Sequence, residues 1–223
     1  MQDDYPGTFH DRHGTERITI RNDGQELSMA VRGVKFSGRH IMGMEPTDKT
    51  DRQDLAVFTL NRYPHEAADL CACTIEYEMA LPVSDQGRMT TGPLTVHSEM
   101  GEPIGNGSLD REFLRLALRV GGETYQGSGT SGWFEDELLE IQAALPEDVY
   151  IKACINCAFS DYSVYGHDIF GDMACFRRCK SAYLAVGNKR DYMGLQCPAV
   201  DTVQETYLCP EFERRRPGTG YRG

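Results

Sequence analysis

Alternating apolar and polar positions are the main structural signal in the first half of this chain. Ile18 and Ile20 alternate with charged and polar neighbours, and a second alternating run extends from Leu27 to Val31. Between the two runs lies Asn22-Asp23-Gly24, which is typical of a tight turn. A period of two residues places every second side chain on the same face of a strand. The pattern therefore predicts a β-hairpin with one buried face.

The same alternation recurs in two later segments, 75–81 and 114–120. Asn106-Gly107 and Gly121-Gly122 fit hairpin turns, which need residues that accept positive φ angles. Short strands with polar outer faces and glycine turns are typical of antiparallel sheets. The sequence therefore predicts an α+β protein in which residues 12–130 form a mainly antiparallel, β sandwich-like domain.

Two apolar segments follow other patterns. The run Leu55–Leu60 is apolar on both faces, which predicts a central strand, with a buried helical turn as the alternative. Within residues 131–147, apolar side chains recur every three or four positions before Pro146, at Phe134, Leu138, Ile141 and Leu145. This spacing predicts one packing helix with a single buried stripe.

The glycine-rich run 127–132 precedes this helix, where free backbone amides can bind a phosphate group. However, Glu135-Asp136-Glu137 brings three acidic side chains into the first helical turn, and they would repel a phosphate. The run also lacks the motifs of nucleotide-binding loops. We therefore predict a connecting loop rather than an anion site.

Five of the six cysteines between positions 154 and 209 form the clearest chemical signal. Cys154-Ile155-Asn156-Cys157 places two thiols on one tight turn, as the first knuckle of a zinc ribbon does. Cys175, Cys179 and Cys209 can supply the remaining ligands. Spacing alone slightly favours Cys175 with Cys179, because closing a short loop costs less entropy. Residues 148–223 are thus predicted to form a cysteine-rich, zinc-ribbon-like unit that binds Zn²⁺.

Several motifs in this part of the sequence resemble a known family. They are Cys154-Ile155-Asn156-Cys157, Ser160-Asp161-Tyr162-Ser163, Tyr165-Gly166, Gly171, Cys175-Phe176, Tyr183-Leu184, Gln204-Glu205-Thr206-Tyr207-Leu208-Cys209 and Gly220-Tyr221-Arg222-Gly223. Over residues 134–223 the chain is similar to an uncharacterised bacterial domain-of-unknown-function family. The resemblance implies four metal ligands, Cys154, Cys157, Cys175 and Cys209. It implies no activity, because the family has none established.

Four thiolates fill the coordination sphere of Zn²⁺, so such a site is expected to be structural. An iron–sulfur cluster would use the same ligands and is the less favoured cofactor. If only three cysteines bind, His167 or Asp168 would complete or open the site, and a metal-dependent hydrolase becomes the alternative function. The other cysteines are predicted to be structural, with Cys71 and Cys73 in the core and Cys197 in a loop.

Charge and cysteine usage restrict the partners and the compartment. Residues 1–148 carry 13 basic and 26 acidic side chains, a charge of −13, whereas residues 149–223 carry 10 and 8, a charge of +2. An acidic body repels nucleic acid, so nucleic-acid binding is not expected. Eight cysteines without a signal peptide or an apolar span predict a cytoplasmic protein with free thiols, without a membrane segment.

The segment between the second and third predicted ligands, Cys157 and Cys175, is dense in hydrogen-bonding side chains. Asp161, Tyr162, Tyr165 and His167 are candidates for a recognition loop that contacts an unknown protein partner. The alternative is that Asp161 accepts amide hydrogens within a turn and that the tyrosines cover the metal. The sequence thus predicts a non-enzymatic protein-interaction module with a structural zinc site.

Overall fold

The computed structural model describes residues 3–47, 50–63 and 68–222. Its strands are β1 (Asp3–Asp11), β2 (Gly14–Asn22), β3 (Leu27–Val31), β4 (Val34–Gly38), β5 (Glu45–Pro46), β6 (Thr59–Arg62), β7 (Ala68–Cys71), β8 (Cys73–Asp85), β9 (Arg88–Met100), β10 (Pro103–Gly105), β11 (Ser108–Leu109), β12 (Glu112–Val120), β13 (Glu123–Gln126), β14 (Val149–Ile151), β15 (Ser160–Asp161), β16 (Met173–Cys175) and β17 (Asp201–Val203). The α-helices are α1 (Arg52–Leu55), α2 (Phe134–Ala144), α3 (Lys180–Leu184) and α4 (Lys189–Met193), and single 3-10 turns span Cys154–Asn156 and Arg177–Cys179.

One ten-stranded antiparallel sheet dominates the fold. Its strands follow the order β13-β12-β9-β8-β1-β2-β3-β4-β5, and β14 also pairs with β8. The prediction of a mainly antiparallel β domain is therefore confirmed. The long strands share one hydrogen-bonded sheet, and the sandwich-like arrangement stays a prediction. Two-residue turns join neighbouring strands so readily that one sheet can grow by successive hairpins.

The predicted hairpin turns are present. Asn106 and Gly107 have φ angles of 56° and 76° between β10 and β11, and Gly121 and Gly122 have 61° and 89° between β12 and β13. Positive φ at both central residues matches the right-handed twist of the flanking strands. The alternation in the strands is equally clear, since Ile18 and Ile20 are buried in β2. These local signals were sufficient to predict the hairpins.

The central strand predicted over Leu55–Leu60 is wrong. The carboxylate of Asp51 accepts a hydrogen bond from the backbone amide of Gln53 at 3.1 Å, which caps α1. The chain then turns, Val57 is 40% exposed, and the strand begins only at Thr59 in the separate β6–β7 hairpin. The helical alternative is correct only for the first residue of the segment.

Helix α2 packs on the main sheet as its stripe predicts. Phe134, Leu138 and Ile141 are buried in the same hydrophobic core as the long strands. This core continues past the helix to Ile155 and Phe170. The helix therefore joins the sheet to the cysteine-rich segment through one continuous apolar interior.

The segment after α2 is anchored on the sheet before it reaches the cysteines. Strand β14 pairs with β8, with Ile151 opposite Val83, and the amide of Lys152 donates to the carbonyl of Pro82 at 2.9 Å. Beyond Cys157 the chain forms a three-stranded sheet of order β15-β16-β17. The short helices α3 and α4 lie between β16 and β17 along the chain. The zinc-ribbon-like character of this unit stays a prediction.

A disulfide joins Cys179 to Cys197. This differs from the expectation of free thiols and of Cys197 as an isolated loop thiol, and it removes Cys179 from the candidate metal ligands. The other six cysteines are free and buried. In the described part of the chain, no helix has both the length and the apolar character needed to cross a membrane.

Candidate functional site

The first two predicted ligands lie on one turn. Cys154 begins a 3-10 turn directly after β14, and the amide of Cys157 donates to the carbonyl of Cys154 at 3.0 Å. The turn is held from outside, because the amide of Cys154 donates to the carbonyl of Tyr207 at 2.9 Å. Both thiols are buried. This arrangement brings the first pair beside the segment that contains Cys209.

Cys209 lies on a second turn of similar form. The amide of Phe212 donates to the carbonyl of Cys209 at 3.1 Å, and the amide of Glu211 donates to the Cys209 sulfur at 3.3 Å. Cys175 ends β16, opposite Ser160 of β15, and its sulfur lies 3.5 Å from Nη1 of Arg177. Amide and guanidinium donors stabilise a thiolate, which is the form that binds a metal.

The four thiols influence one another electrostatically. The pKa of Cys154 is raised, first by burial and then by the negative charges of Cys157, Cys175 and Cys209. Burial also raises the pKa of Cys157, whereas the backbone amides of Phe159 and Glu213 act to lower it. The charges of the other three sulfurs thus reach Cys154. Within residues 3–47, 50–63 and 68–222, however, no three His, Cys, Asp or Glu side chains are arranged to hold a metal ion.

The donor chemistry of this set nevertheless fits a metal. Four thiolates are the ligands of structural zinc and of iron–sulfur clusters. Cys154, Cys157, Cys175 and Cys209 are all buried, and none of them forms a disulfide. The ligand assignment to Cys154, Cys157, Cys175 and Cys209 stays a prediction.

Two residues of the predicted recognition loop lie in the interior. The carboxylate of Asp161 accepts hydrogen bonds from the hydroxyl of Tyr183 at 2.5 Å and from the amide of Tyr162 at 2.8 Å. The hydroxyl of Tyr162 donates to Oε1 of Glu205 at 2.8 Å. Asp161 and Tyr162 are 1% and 6% exposed, so neither can contact a partner directly.

The other half of the loop is accessible. Tyr165 is 79% exposed. His167 stacks on Tyr162 with ring centres 4.0 Å apart, and its ring centre lies 5.1 Å from that of Trp133, which is 39% exposed. Trp133 and His167 form an accessible ring pair, and the exposed Tyr165 lies two residues before His167 in the same loop; we call these three side chains the aromatic surface.

Asp168 lies in a different environment. Its Oδ1 is 3.1 Å from Nε2 of His40, on the wall of a cavity of about 730 Å³ between the β4–β5 connection and the cysteine-rich unit. Burial lowers the pKa of His40, and the charge of Asp168 opposes this change. Asp168 thus contacts the sheet domain through His40, and it contacts its own loop through Ile169 and Asp172.

Glu205 is a central residue that the sequence did not single out. It is fully buried, and it accepts hydrogen bonds from the Tyr162 hydroxyl and from the amide of Gly171, each at 2.8 Å. Burial raises its pKa to about 7. A glutamate between polar residues usually indicates a solvent-exposed position, so no local signal marks this one.

Comparison with known proteins places the chain in an uncharacterised group. A family model described as "Family of unknown function (DUF6304)" matches residues 3–160, which is more than half of the chain. The match covers the main sheet, α2 and the first cysteine turn, whereas the resemblance derived from the sequence covered residues 134–223. No curated protein matches the chain, and no solved structure matches it.

Proposed function

We propose, from the premise that the chain belongs to a family of unknown function (DUF6304), that this protein is a non-enzymatic protein-interaction module with a structural zinc site. Zn²⁺ would be held by the sulfurs of Cys154, Cys157, Cys175 and Cys209. The location that goes with this proposal is the cytoplasm, where these four thiols would stay reduced, whereas the disulfide between Cys179 and Cys197 favours an oxidising compartment.

The observation that carries the zinc site is the pair of turns around Cys154 and Cys209. Each turn directs backbone amides toward sulfur or toward the preceding carbonyl, and the amide of Cys154 ties the two turns together. Burial and the charges of the other three sulfurs oppose ionisation of Cys154. A bound divalent cation would reverse that balance.

A structural role follows from the number of sulfurs. Four thiolates leave no open coordination position for water or substrate. The apolar clusters around the sulfurs are small, for example the cluster of Cys154, Tyr162, Met173, Cys175 and Val203. A metal cross-link between the two turns would therefore supply stability that apolar burial alone does not provide here.

Metal content tests the site directly. Protein purified without added metal should contain one zinc per chain, and X-ray absorption should show four sulfur ligands. Cys154→Ser should lose zinc and unfold at lower temperature, because one ligand is missing from a closed site. Cys73→Ser changes a buried cysteine of the main sheet and serves as the matched control. Protein that contains no zinc, or zinc with three sulfurs and one lighter ligand, contradicts the proposal.

The interaction surface is proposed to be the aromatic surface of Trp133, Tyr165 and His167. Exposed aromatic side chains beside a fixed backbone are enriched at protein interfaces, because they bury a large area at little entropic cost. The residues that support this surface, Asp161 and Tyr162, are hydrogen-bonded in the interior. Their buried contacts would hold Tyr165 in place.

A substitution at Tyr165 tests the surface. The probe is a protein partner captured with the unchanged chain. Tyr165→Ala should weaken its binding at least tenfold and leave the melting temperature within about 1 °C, because the side chain is exposed. Tyr207→Ala removes another exposed tyrosine, which is 41% accessible, and should leave binding unchanged. Equal affinities for both variants would remove this surface from the proposal.

The alternative of a metal-dependent hydrolase near His167 and Asp168 stays a prediction. The described contacts of His167 include Tyr162, Trp133 and Glu135. Those of Asp168 include His40 and the amide of Ile169. The interaction module is therefore favoured over the hydrolase.

A further inference from the structure

Arg222 is an unusually buried cation. Its side chain is only 14% exposed, and its Nη2 lies 2.8 Å from Oε1 of Glu135 at the start of α2. The guanidinium carbon lies 5.1 Å from the ring centre of Tyr162. The last described residue therefore reaches back to the same aromatic and acidic side chains that support the proposed interaction surface.

Glu135 and Tyr162 form the walls of what we call the arginine socket. The carboxylate of Glu135 is 17% exposed and also lies 3.7 Å from Nε2 of His167. Tyr162 is held by Glu205, so its ring cannot turn away without breaking a buried hydrogen bond. Burial raises the pKa of Glu135, and the charges of Arg222 and His167 oppose this change. A buried carboxylate beside an aromatic face is a suitable environment for a planar guanidinium group.

One described backbone hydrogen bond connects the segment that delivers Arg222, residues 217–222, to the rest of the chain. The amide of Gly220 donates to the carbonyl of Leu184 at 3.4 Å, which is long for such a bond. Gly220 lies against the ring of Tyr183, where a Cβ atom would come within 2.8 Å of the ring. Tyr221 contributes a ring contact with Tyr192 at 5.5 Å. Few interactions would have to break for the segment to leave.

Arg222 also fills the socket incompletely. Its Nη1 is buried and has no hydrogen-bond partner among the described residues. An unpaired buried donor on a charged group destabilises the arrangement that contains it. A guanidinium approaching from another chain, with acceptors of its own, can avoid that cost. The segment therefore behaves as a replaceable ligand rather than as an optimised part of the core.

We infer that the arginine socket of Glu135 and Tyr162 is the recognition pocket of this module, that Arg222 occupies it as an intramolecular ligand, and that the protein partner displaces Arg222 with an arginine of its own. This inference deepens the proposed function and rests on it for the existence of a partner. The adjoining surface residues Trp133 and Tyr165 would contact the partner around that arginine.

Charge supports an arginine-bearing partner. Residues 1–148, which include Glu135, carry a net charge of −13 and attract a basic segment at long range. Arginine is preferred over lysine because its planar fork can pair with a carboxylate while it stacks on a ring. The partner is thus a protein with an exposed, basic segment that contains at least one arginine.

Competition between the tethered and the added arginine provides the test. The probe is a fluorescent peptide with the sequence of residues 217–222, and the proteins are the full chain and its Arg222→Ala variant. The variant should bind the peptide at least tenfold more tightly than the unchanged chain, since its own arginine no longer competes. A peptide with lysine in place of arginine should bind the variant at least tenfold more weakly. Glu135→Gln added to Arg222→Ala should reduce peptide binding by a similar factor.

Two results would overturn the inference. One is a folded Arg222→Ala variant that does not bind the peptide at millimolar concentration or binds it no better than the unchanged chain. The other is equal binding of the arginine and lysine peptides. If Arg222→Ala does not fold, Arg222→Lys retains the charge and the aliphatic stem, and the same comparison is made with it.

Loss of peptide binding in protein that contains zinc and still captures its partner through Tyr165 would overturn the socket alone. Peptide binding by protein that contains no zinc would instead overturn the proposed metal site.

Discussion

At the scale of single residues, Glu205 is the most consequential side chain of the cysteine-rich unit. Its carboxylate orders Tyr162 through one oxygen and the amide of Gly171 through the other, while its backbone carbonyl accepts from Ile155 at 2.9 Å. It thereby connects the first cysteine turn to the arginine socket. A fully buried acid must either remain protonated or be compensated by donors.

The raised pKa of Glu205 predicts a specific dependence of stability on pH. The folded-state pKa of about 7 exceeds the unfolded value of 4.5, so the folded state holds a proton that the unfolded state has lost between these values. The contribution of Glu205 to stability is full below about pH 4.5 and is lost as the pH rises through about 7. The loss amounts to about 3 kcal/mol.

Glu205→Gln removes the titration and should flatten this part of the profile. The free energy of unfolding, measured by urea titration from pH 5 to pH 8, should fall less with pH in Glu205→Gln than in the unchanged chain. Comparing the two proteins cancels pH effects that they share, including those of the thiols. Glu112→Gln replaces an exposed carboxylate and should retain the original slope. Parallel profiles for Glu205→Gln and the unchanged chain would show that this carboxylate does not hold the proton.

At the scale of elements, the start of α2 shows how the glycine-rich loop is used. The amide of Gly129 donates to Glu137 at 2.9 Å, and the amide of Ser128 donates to Glu140 at 2.6 Å. The backbone of Gly127 packs directly on Glu137, where a Cβ atom would overlap the carboxylate. Acidic side chains of the helix thus occupy amides of the loop that an anion would need.

Glu137 should therefore contribute more to stability than its neighbour Glu140. Glu137 is fully buried, and its loss would leave the amide of Gly129 without a partner. We expect Glu137→Ala to lower the free energy of unfolding by about 2–3 kcal/mol. Glu140→Ala, on the exposed side of the same helix, should cost less than about 1 kcal/mol. Similar losses in urea titrations of the two variants would contradict this account of the loop.

The same elements show which parts of the fold were predictable. The hairpins and the buried stripe of α2 depend on neighbouring residues, so periodicity and turn chemistry were sufficient. The assignment at Leu55–Leu60 failed because one capping residue, Asp51, outweighed an ambiguous apolar run. The single sheet depends on pairings between distant strands, such as β1 with β8, which no local pattern specifies.

The candidate site was predicted in the same uneven way. The cysteine turn at 154–157 is local, and it was found. The role of Tyr162 depends on Glu205, 43 residues away, and that of Asp161 depends on Tyr183, 22 residues away. Hydrogen-bonding residues in a loop look alike in sequence whether they face solvent or the interior. Only long-range contacts decide between a recognition residue and its support.

At the scale of the whole molecule, a pair of amides joins the main sheet to the cysteine-rich unit. Nδ2 of Asn22 donates to Oε1 of Gln204 at 2.7 Å, and Nε2 of Gln204 donates to Oδ1 of Asn22 at 2.9 Å. Both residues are buried, and Asn22 also donates to the hydroxyl of Tyr5 at 2.8 Å. Gln204 immediately precedes Glu205, so this contact fixes the hydrogen bonds of Glu205 relative to the main sheet.

Coupling between these two amides should exceed that of an exposed pair across the same junction. In a double-mutant cycle, Asn22→Ala and Gln204→Ala should show an interaction free energy of about 1–3 kcal/mol, because each single change leaves a buried amide unpaired. Arg39 and Asp172 also bridge the junction, at 3.0 Å, but their side chains are 49% and 26% exposed. Their cycle should give less than about 1 kcal/mol. If both cycles give the smaller value, the two parts of the molecule are held together by the apolar core around Ile155 and Phe170 rather than by the amide pair.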